Sequence, residues 1–405
     1  MHSSKVGNHV VKLGSLLAAS AALGLFGCSA NLATESSDSG NTAKVDEALS
    51  SWTTLTLRNG WRTAANSNVP AVGIVNNIIT FRGALDGSQA TSDELFCLSD
   101  SAFAAYRPTD VGFVPLRAAL ANGTPGGLIM SPNSQLSGDA GFCMSVSEDN
   151  VDANSEPGPN ARALTSLEGV SYDKWIQTST YLPSPTGWTA NYPMRGSDFG
   201  ASGSNDQNKQ GAFVKLVNGF VRFEGDLKYQ GGGLPIALFN LPANQGMIPG
   251  HAVYLPVSFS PPFGSIAGQL VIQPSGEVDI QGPIQSAPTD VALDGASFSM
   301  ASATGAQTIP LASGWVANSA RAVRVRNDNG VIRLEGAIKN GPTTTLGTLP
   351  TGMRPAKTIN LVATALLYAT PSVLSINPSG VIQVVSPALP VAQSGISFDG
   401  VSFGL

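Results

Sequence analysis

The stretch ARAVRVRNDNGVIRLEGAI (Ala320–Ile338) decides the fold. In VIRLE, Ile332 and Leu334 alternate with Arg333 and Glu335, so one face of an extended strand is apolar and the other charged. The preceding run, with Val323 and Val325 between polar residues, reads the same way. Between the two runs stands Asp328-Asn329-Gly330. Asn-Gly accepts positive φ at both central positions of a tight turn whose twist matches the flanking strands. The stretch is therefore an antiparallel hairpin. Moving outward, Gly314-Trp315 precedes it. VLSINPSGVIQV (Val373–Val384) follows, with Pro378-Ser379-Gly380 turning a second hairpin, and SFDGVSF (Ser397–Phe403) closes the segment.

The same four landmarks occur twice more in the same order. Gly60-Trp61 and Gly187-Trp188 match Gly314-Trp315 at equal spacing. ITFRGAL (Ile79–Leu85) and VRFEGDL (Val221–Leu227) match IRLEGAI, and Asn76-Asn77 and Asn218-Gly219 stand at the hairpin turn. GLIMSPNSQL (Gly127–Leu136) and QLVIQPSGEVDI (Gln269–Ile280) supply the aliphatic run, and SLEGVSY (Ser166–Tyr172) and ALDGASF (Ala292–Phe298) the closing element. The expected fold is all-β: three repeated antiparallel β-sandwich or jelly-roll-like domains over residues 52–176, 177–300 and 301–405. Two arrangements are open, closure around a pseudo-threefold axis or three domains in a row. The closing strand, apolar at Phe398, Val401 and Phe403, is the expected interface of the closed form.

Composition agrees with turn-rich β structure. Of 405 residues, 45 are Gly and 27 are Pro, and only 12% are charged. Lys plus Arg number 22 against 27 Asp plus Glu, a net charge of −5 with no basic block, which excludes a nucleic-acid binder. Of the three histidines, His2 and His9 fall in the leader described next, leaving His251, so His-based catalytic and metal constellations are largely excluded.

Residues 1–27 read as a signal peptide: Lys5 and Lys12 precede an uncharged stretch, LGSLLAASAALGLFG (Leu13–Gly27), too short to span a bilayer. Its end, Leu25-Phe26-Gly27-Cys28, resembles the bacterial lipoprotein signal, although Phe26 is bulkier than that pattern usually has. The resemblance implies a lipidated, palmitate-bearing Cys28 that anchors the chain to the membrane. Ser29 after it favours the outer membrane or cell surface. Residues 28–51 are polar and aperiodic, a flexible tether with a reach of roughly 25 Å. Cys97 and Cys143 then remain as a pair in an oxidising compartment. A disulfide is the natural reading, contributing on the order of 4 kcal/mol by chain entropy. Two buried thiols are the alternative, and no Cys-x-x-Cys spacing supports a metal. The pair falls in insertions special to the first copy, Leu85–Gly127 and Gly138–Asn160.

The order of VIRLEGAIKNG, TLPTGMRPAKTINL (Thr348–Leu361), SINPSGVIQV and SFDGVSF resembles the C-terminal β domain of phage tail-fibre and minor tail proteins. Copy three matches over nearly its full length, copy two keeps Leu241-Pro242 and Met247-Ile248-Pro249, and copy one keeps Tyr106-Arg107-Pro108. Such tips are trimeric β assemblies that touch host surfaces, so the resemblance implies that three copies on one chain form a monomeric pseudo-trimer.

Candidate chemistry is sparse. Glu168, Asp294 and Asp399 recur in the closing landmark, either as turn residues bonding amides two residues on or as symmetric ligands for a hard cation. Glu224 and Glu335, with Arg222 and Arg333 two residues earlier, form either an exposed ion-pair stripe or an acid–base pair. Glu148, Asp149, Asp152 and Glu156, with Asn150 and Asn154, are either a solvated acidic loop, as the lack of calcium-loop spacing favours, or a calcium ligand set, and His251 is a surface turn residue. Trp61, Trp188 and Trp315 are core residues or sugar platforms. No nucleophile elbow, phosphate loop or zinc helix is present in the sequence. No catalytic, cofactor or metal residue is assigned. The expected function is a noncatalytic cell-surface lipoprotein, structural or adhesive, with a glycan or other surface polymer as partner. The alternative is a carboxylate-dependent polysaccharide hydrolase.

Overall fold

The computed structural model describes residues 52–76, 78–98, 102–103, 112–120, 125–133, 140–147, 162–173, 180–182, 188–190, 212–229, 237–260, 266–281, 290–293, 295–300, 305–318, 322–366, 370–386 and 395–405. In it, Ala320–Ile338 contains the hairpin its sequence dictates. Asn329 and Gly330 have φ of 53° and 85°, and the strands pair from Asp328↔Val331 outward. Asn218 (49°) and Gly219 (77°) repeat the turn in copy two, and Asn76 (52°) takes the same position in copy one.

Each copy builds the same two antiparallel sheets. In the first, β1 (Thr53–Thr54), β3 (Ala71–Val75), β4 (Ile78–Arg82) and β11 (Ser171–Asp173) form a four-stranded sheet in that order. The seven-stranded sheet runs β2 (Arg62–Thr63), β5 (Ala84–Asp86), β10 (Thr165–Ser166), β7 (Gly112–Leu120), β8 (Pro125–Asn133), β9 (Ala140–Ser147), β6 (Glu94–Leu98). In the second copy the four are β12 (Thr180–Leu182), β14 (Ala212–Val217), β15 (Phe220–Glu224) and β22 (Ser297–Ser299). The seven are β13 (Trp188–Ala190), β16 (Asp226–Tyr229), β21 (Asp290–Ala292), β18 (Val253–Ser260), β19 (Ile266–Ile272), β20 (Glu277–Gln281) and β17 (Ala237–Asn240). In the third the four are β23 (Gln307–Thr308), β25 (Arg324–Asp328), β26 (Val331–Glu335) and β33 (Ser402–Gly404). Its seven are β24 (Val316–Ala317), β27 (Ala337–Lys339), β32 (Ile396–Ser397), β29 (Ile359–Ala365), β30 (Thr370–Ile376), β31 (Val381–Ser386) and β28 (Thr345–Thr348).

The landmarks now have physical meaning. In IRLEGAI the chain leaves one sheet at Glu335 and enters the other at Ala337, bending at Gly336. Gly83, Gly225 and Gly336 have φ of 93°, 93° and 94°, and a Cβ on Gly83 would stand 2.7 Å from Pro70. Only glycine turns this corner. Each copy then has its own core, filled from both sheets as in a sandwich. In the third it includes Ile332, Leu334, Ile338, Leu374, Ile382, Phe398, Val401 and Phe403. The closing strand was expected to spend those aromatics on an interface between copies, and the structure corrects this. Phe398 and Phe403 face their own core because the landmark strand completes its own sheet.

Residues 47–405 form one unit, and within it the copies touch cyclically. β7, β18 and β29, the corresponding long strands, pack against one another in every pairing. The flanking contacts run in one sense: β10 of copy one on β29 of copy three, β32 of copy three on β18 of copy two, and β21 of copy two on β7 of copy one. Copies one and three, separated along the chain by all of copy two, are direct neighbours.

Candidate functional site

The first hairpins of the three copies meet at their turns. Asn218 Nδ2 donates to the Asn76 carbonyl at 2.8 Å, and Asn329 Nδ2 donates to Asn76 Oδ1 at 3.0 Å. Behind the turns, β4, β15 and β26 turn their inner residues (Ile79 and Phe81, Val221 and Phe223, Ile332 and Leu334) into the cores. By period two their other faces carry Ile78, Thr80 and Arg82, then Phe220, Arg222 and Glu224, then Val331, Arg333 and Glu335.

Here the expectation of an exposed ion-pair stripe is overturned. Arg222 is 3% exposed, and Arg333 and Glu335 are 6% exposed. Period two assigned the face correctly, but at this junction the face is covered by protein. Cross-strand neighbours in copies two and three are like charges, Lys215 opposite Arg222 and Arg326 opposite Arg333. Such pairs repel, so acids are recruited to them. Lys215 pairs with Glu224, and Asp328 Oδ2 lies 3.0 Å from Arg326 Nε and 2.9 Å from Arg333 Nε. Arg326 also reaches Glu335 at 3.7 Å. The guanidiniums of Arg333 and Arg326 lie 4.1 and 5.1 Å from the ring centre of Phe220 in copy two, a cation–π contact across the boundary between copies. Burial, then the neighbouring Arg222 charge, lowers the Arg333 pKa to about 10, against the opposing pull of Asp328.

Copy one solves the same position differently. Gly73 and Thr80 replace the basic pair, and the Trp52 ring fills the space. A Cβ on Gly73 would be 3.2 Å from that ring and one on Gly404, in copy three, 2.5 Å from it. Arg82 caps Trp52 at 4.5 Å and donates to the Leu405 main-chain oxygen at 2.7 Å. Lys357 Nζ to the Ser67 carbonyl (2.8 Å) adds a further tie between copies one and three.

Glu168 and Asp399 bond the amide of the second landmark rather than amides two residues on. Asp399 Oδ1 accepts from the Gly336 amide at 2.8 Å and Oδ2 from Ser397 Oγ at 3.1 Å. Glu168 Oε1 accepts from the Gly83 amide at 2.9 Å and Asn68 Nδ2 at 3.0 Å. The second and fourth landmarks thus bond each other, which sequence spacing does not reveal. Asp294 lies outside the described residues. In copy one Ser166 Oγ turns away to the Asn360 carbonyl of copy three, leaving the buried Glu168 Oε2 without a hydrogen-bond partner among the described residues.

Burial accordingly raises the Glu168 pKa, opposed by Asn68, Gly83 and the Arg82 charge. Because the folded value exceeds the unfolded one, the protonated form favours folding. This contribution is complete below the ordinary value near 4.5 and is lost as pH rises through the elevated folded value. Glu168→Gln keeps an acceptor for Gly83 and removes the charge. Its stability relative to the parent is expected to improve between pH 4 and pH 7 in parallel urea titrations. A pH-independent difference would refute this.

The remaining candidates are structural or lie outside the described residues. Trp61 and Trp315 are core residues, with indole N–H groups donating to the Ser92 and Thr343 carbonyls. This excludes the sugar-platform reading for both. Arg354 of the tail-fibre-like motif donates through Nε to the Leu349 carbonyl at 2.9 Å and lies over Gly380, where copy two sets Ile248 over Gly276. His251 sits half-buried in the turn before β18. Cys97 and Cys143 form a disulfide between directly paired positions of β6 and β9. With Glu94 they make the one group of three potential metal ligands among the described residues. Cys28, the acidic loop Glu148–Glu156, Tyr106-Arg107-Pro108 and the Trp188 side chain lie outside the described residues. Among the described residues no helix is long and apolar enough to cross a membrane.

No protein-family model, curated protein or solved structure matches the chain. The tail-fibre likeness rests on the quoted motifs alone.

Proposed function

We propose that the chain is a noncatalytic surface lipoprotein of structural or adhesive role, in which three β repeats close into a single-chain counterpart of a trimer. The cyclic packing of β7, β18 and β29 carries this reading, because domains in a row leave the first and third apart. The paired charges of the junction support it further. Glu224, Asp328 and Glu335 each have a cationic partner within their own copy, and Arg326 and Arg333, held in this way, carry the contact across to Phe220 of copy two. Linked copies multiply weak contacts, which suits adhesion to a repetitive polymer such as a glycan. Anchoring through lipid on Cys28 completes the reading and rests on the sequence.

Scattering from the chain lacking residues 1–51 is expected to give a radius of gyration of about 20 Å, whereas a row of three domains would give roughly 30 Å. A glycan array probed with the same protein should show saturable binding that leaves the polymer intact. Release of reducing ends, abolished by replacing one carboxylate, would establish the hydrolase instead.

A further inference from the structure

Glu94 and Cys97 stand three residues apart in β6, a spacing that in a regular strand points side chains to opposite faces. A bulge between Glu94 and Phe96 reverses the parity and brings Glu94 Oε1 to 3.7 Å from Cys97 Sγ. The bulge recurs in the other copies, between Ala237 and Phe239 in β17 and between Thr345 and Gly347 in β28. At the three matching positions copy two has Ala237, Asn240 and Glu277, and copy three has Thr345, Thr348 and Val381. The corner is shared scaffold, but the first copy alone equips it with two sulfurs and a carboxylate.

Those three ligand atoms lie within 4.8 Å of one another. Glu94 is buried, and it is oriented by Arg58 Nη1 at 3.3 Å and by Asn59, which bonds its carbonyl at 3.1 Å. β6 is the last strand of its sheet, its outer side bridged at Phe96 by Leu57, and Cys97 is the more exposed of the two cysteines. An external thiol therefore meets Cys97 first.

We propose that Glu94, Cys97 and Cys143 form a redox-gated site for a soft divalent cation of the zinc and cadmium type. In the oxidised chain the disulfide occupies the sulfurs and the site is closed. A dithiol opens it. One thiolate of the dithiol attacks Cys97 Sγ, the Sγ–Sγ bond breaks and Cys143 leaves as the thiolate. The second thiol of the dithiol then displaces Cys97 and departs within a cyclic disulfide. Two electrons and two protons have passed to the cysteines. The cation replaces the two thiol protons, and each sulfur swings about χ1 to the separation of about 3.7 Å that two 2.3 Å metal–sulfur bonds need at a tetrahedral centre. The Glu94 carboxylate is the third ligand and water the fourth. Thiolates select soft ions over calcium or magnesium.

The test uses the full chain, reduced with dithiothreitol, freed of it under argon and titrated with cadmium. The reduced protein is expected to bind one equivalent, with the ultraviolet charge-transfer band of cadmium thiolate, and the oxidised protein none. Glu94→Gln, which still forms the disulfide, is expected to bind about tenfold or more weakly. Near-ultraviolet circular dichroism reports whether reduction preserves the fold. Loss of that signal on reduction, absence of stoichiometric cadmium, or equal affinity in Glu94→Gln would each overturn the proposal.

Discussion

Asp328→Ala is expected to destabilise the protein by about 3–5 kcal/mol, the usual consequence of removing one member of a buried ion pair. Asp328 serves two guanidiniums at once, Arg326 and Arg333, which stand opposite each other on neighbouring strands. Without the acid Arg333 loses its ion pair and Arg326 keeps the longer one to Glu335, in a setting that already pulls Arg333 down to about 10. Both guanidiniums lie on Phe220 of the second copy, so the damage falls on the boundary between copies two and three. Urea unfolding should give a lower midpoint, and Asp328→Glu should recover part of the loss. If Asp328→Ala changes the midpoint no more than an exposed substitution does, within about 0.5 kcal/mol, the cluster does not hold the seam.

Trp315→Ala should cost a comparable amount, about 3–5 kcal/mol, through loss of a buried indole and the cavity left behind. The ring lies flat on Gly341, where an added Cβ would come within 1.8 Å of it, and its N–H satisfies the Thr343 carbonyl. Gly341→Ala is therefore expected to destabilise as well, by overpacking, on the order of 1–3 kcal/mol. Trp61 and Gly87 repeat the arrangement in copy one, with the corresponding approach at 2.4 Å. Thermal unfolding separates this role from ligand stacking. A platform tryptophan would leave stability unchanged on truncation and lose only binding.

The two variants probe different levels of the architecture. Trp315 belongs to the interior of one sandwich, so its replacement weakens a single copy. Asp328 belongs to a seam, so its replacement weakens the association of copies. Scattering distinguishes the outcomes: expansion under mild denaturant with sheet content retained is expected for Asp328→Ala and not for Trp315→Ala.

Local chemistry was legible in the residues themselves. Asn-Gly fixes a hairpin wherever it falls between alternating runs, because the turn depends only on two backbone torsions. The Pro-Ser-Gly turns and the threefold recurrence of landmarks were readable for the same reason. So was the pairing of Cys97 with Cys143, read on the expectation that Cys28 is taken by lipid, with two buried thiols as the alternative.

Exposure was not legible. Arg222, Arg333 and Glu335 look solvated because a single strand cannot register what is laid across it, and for Arg333 that includes Phe220, more than a hundred positions away. Asn76, Asn218 and Asn329 look like separate turns until the copies bring them within hydrogen-bond distance. The same holds for the closing acids, whose partners Gly83 and Gly336 are reached only by folding the chain back on itself. Sequence alone determined the all-β class and the repeated hairpins, which follow from interactions between near neighbours. Tertiary structure alone decided which faces are buried, which charged side chains lie against another copy and which copies adjoin, because those depend on contacts between residues remote along the chain.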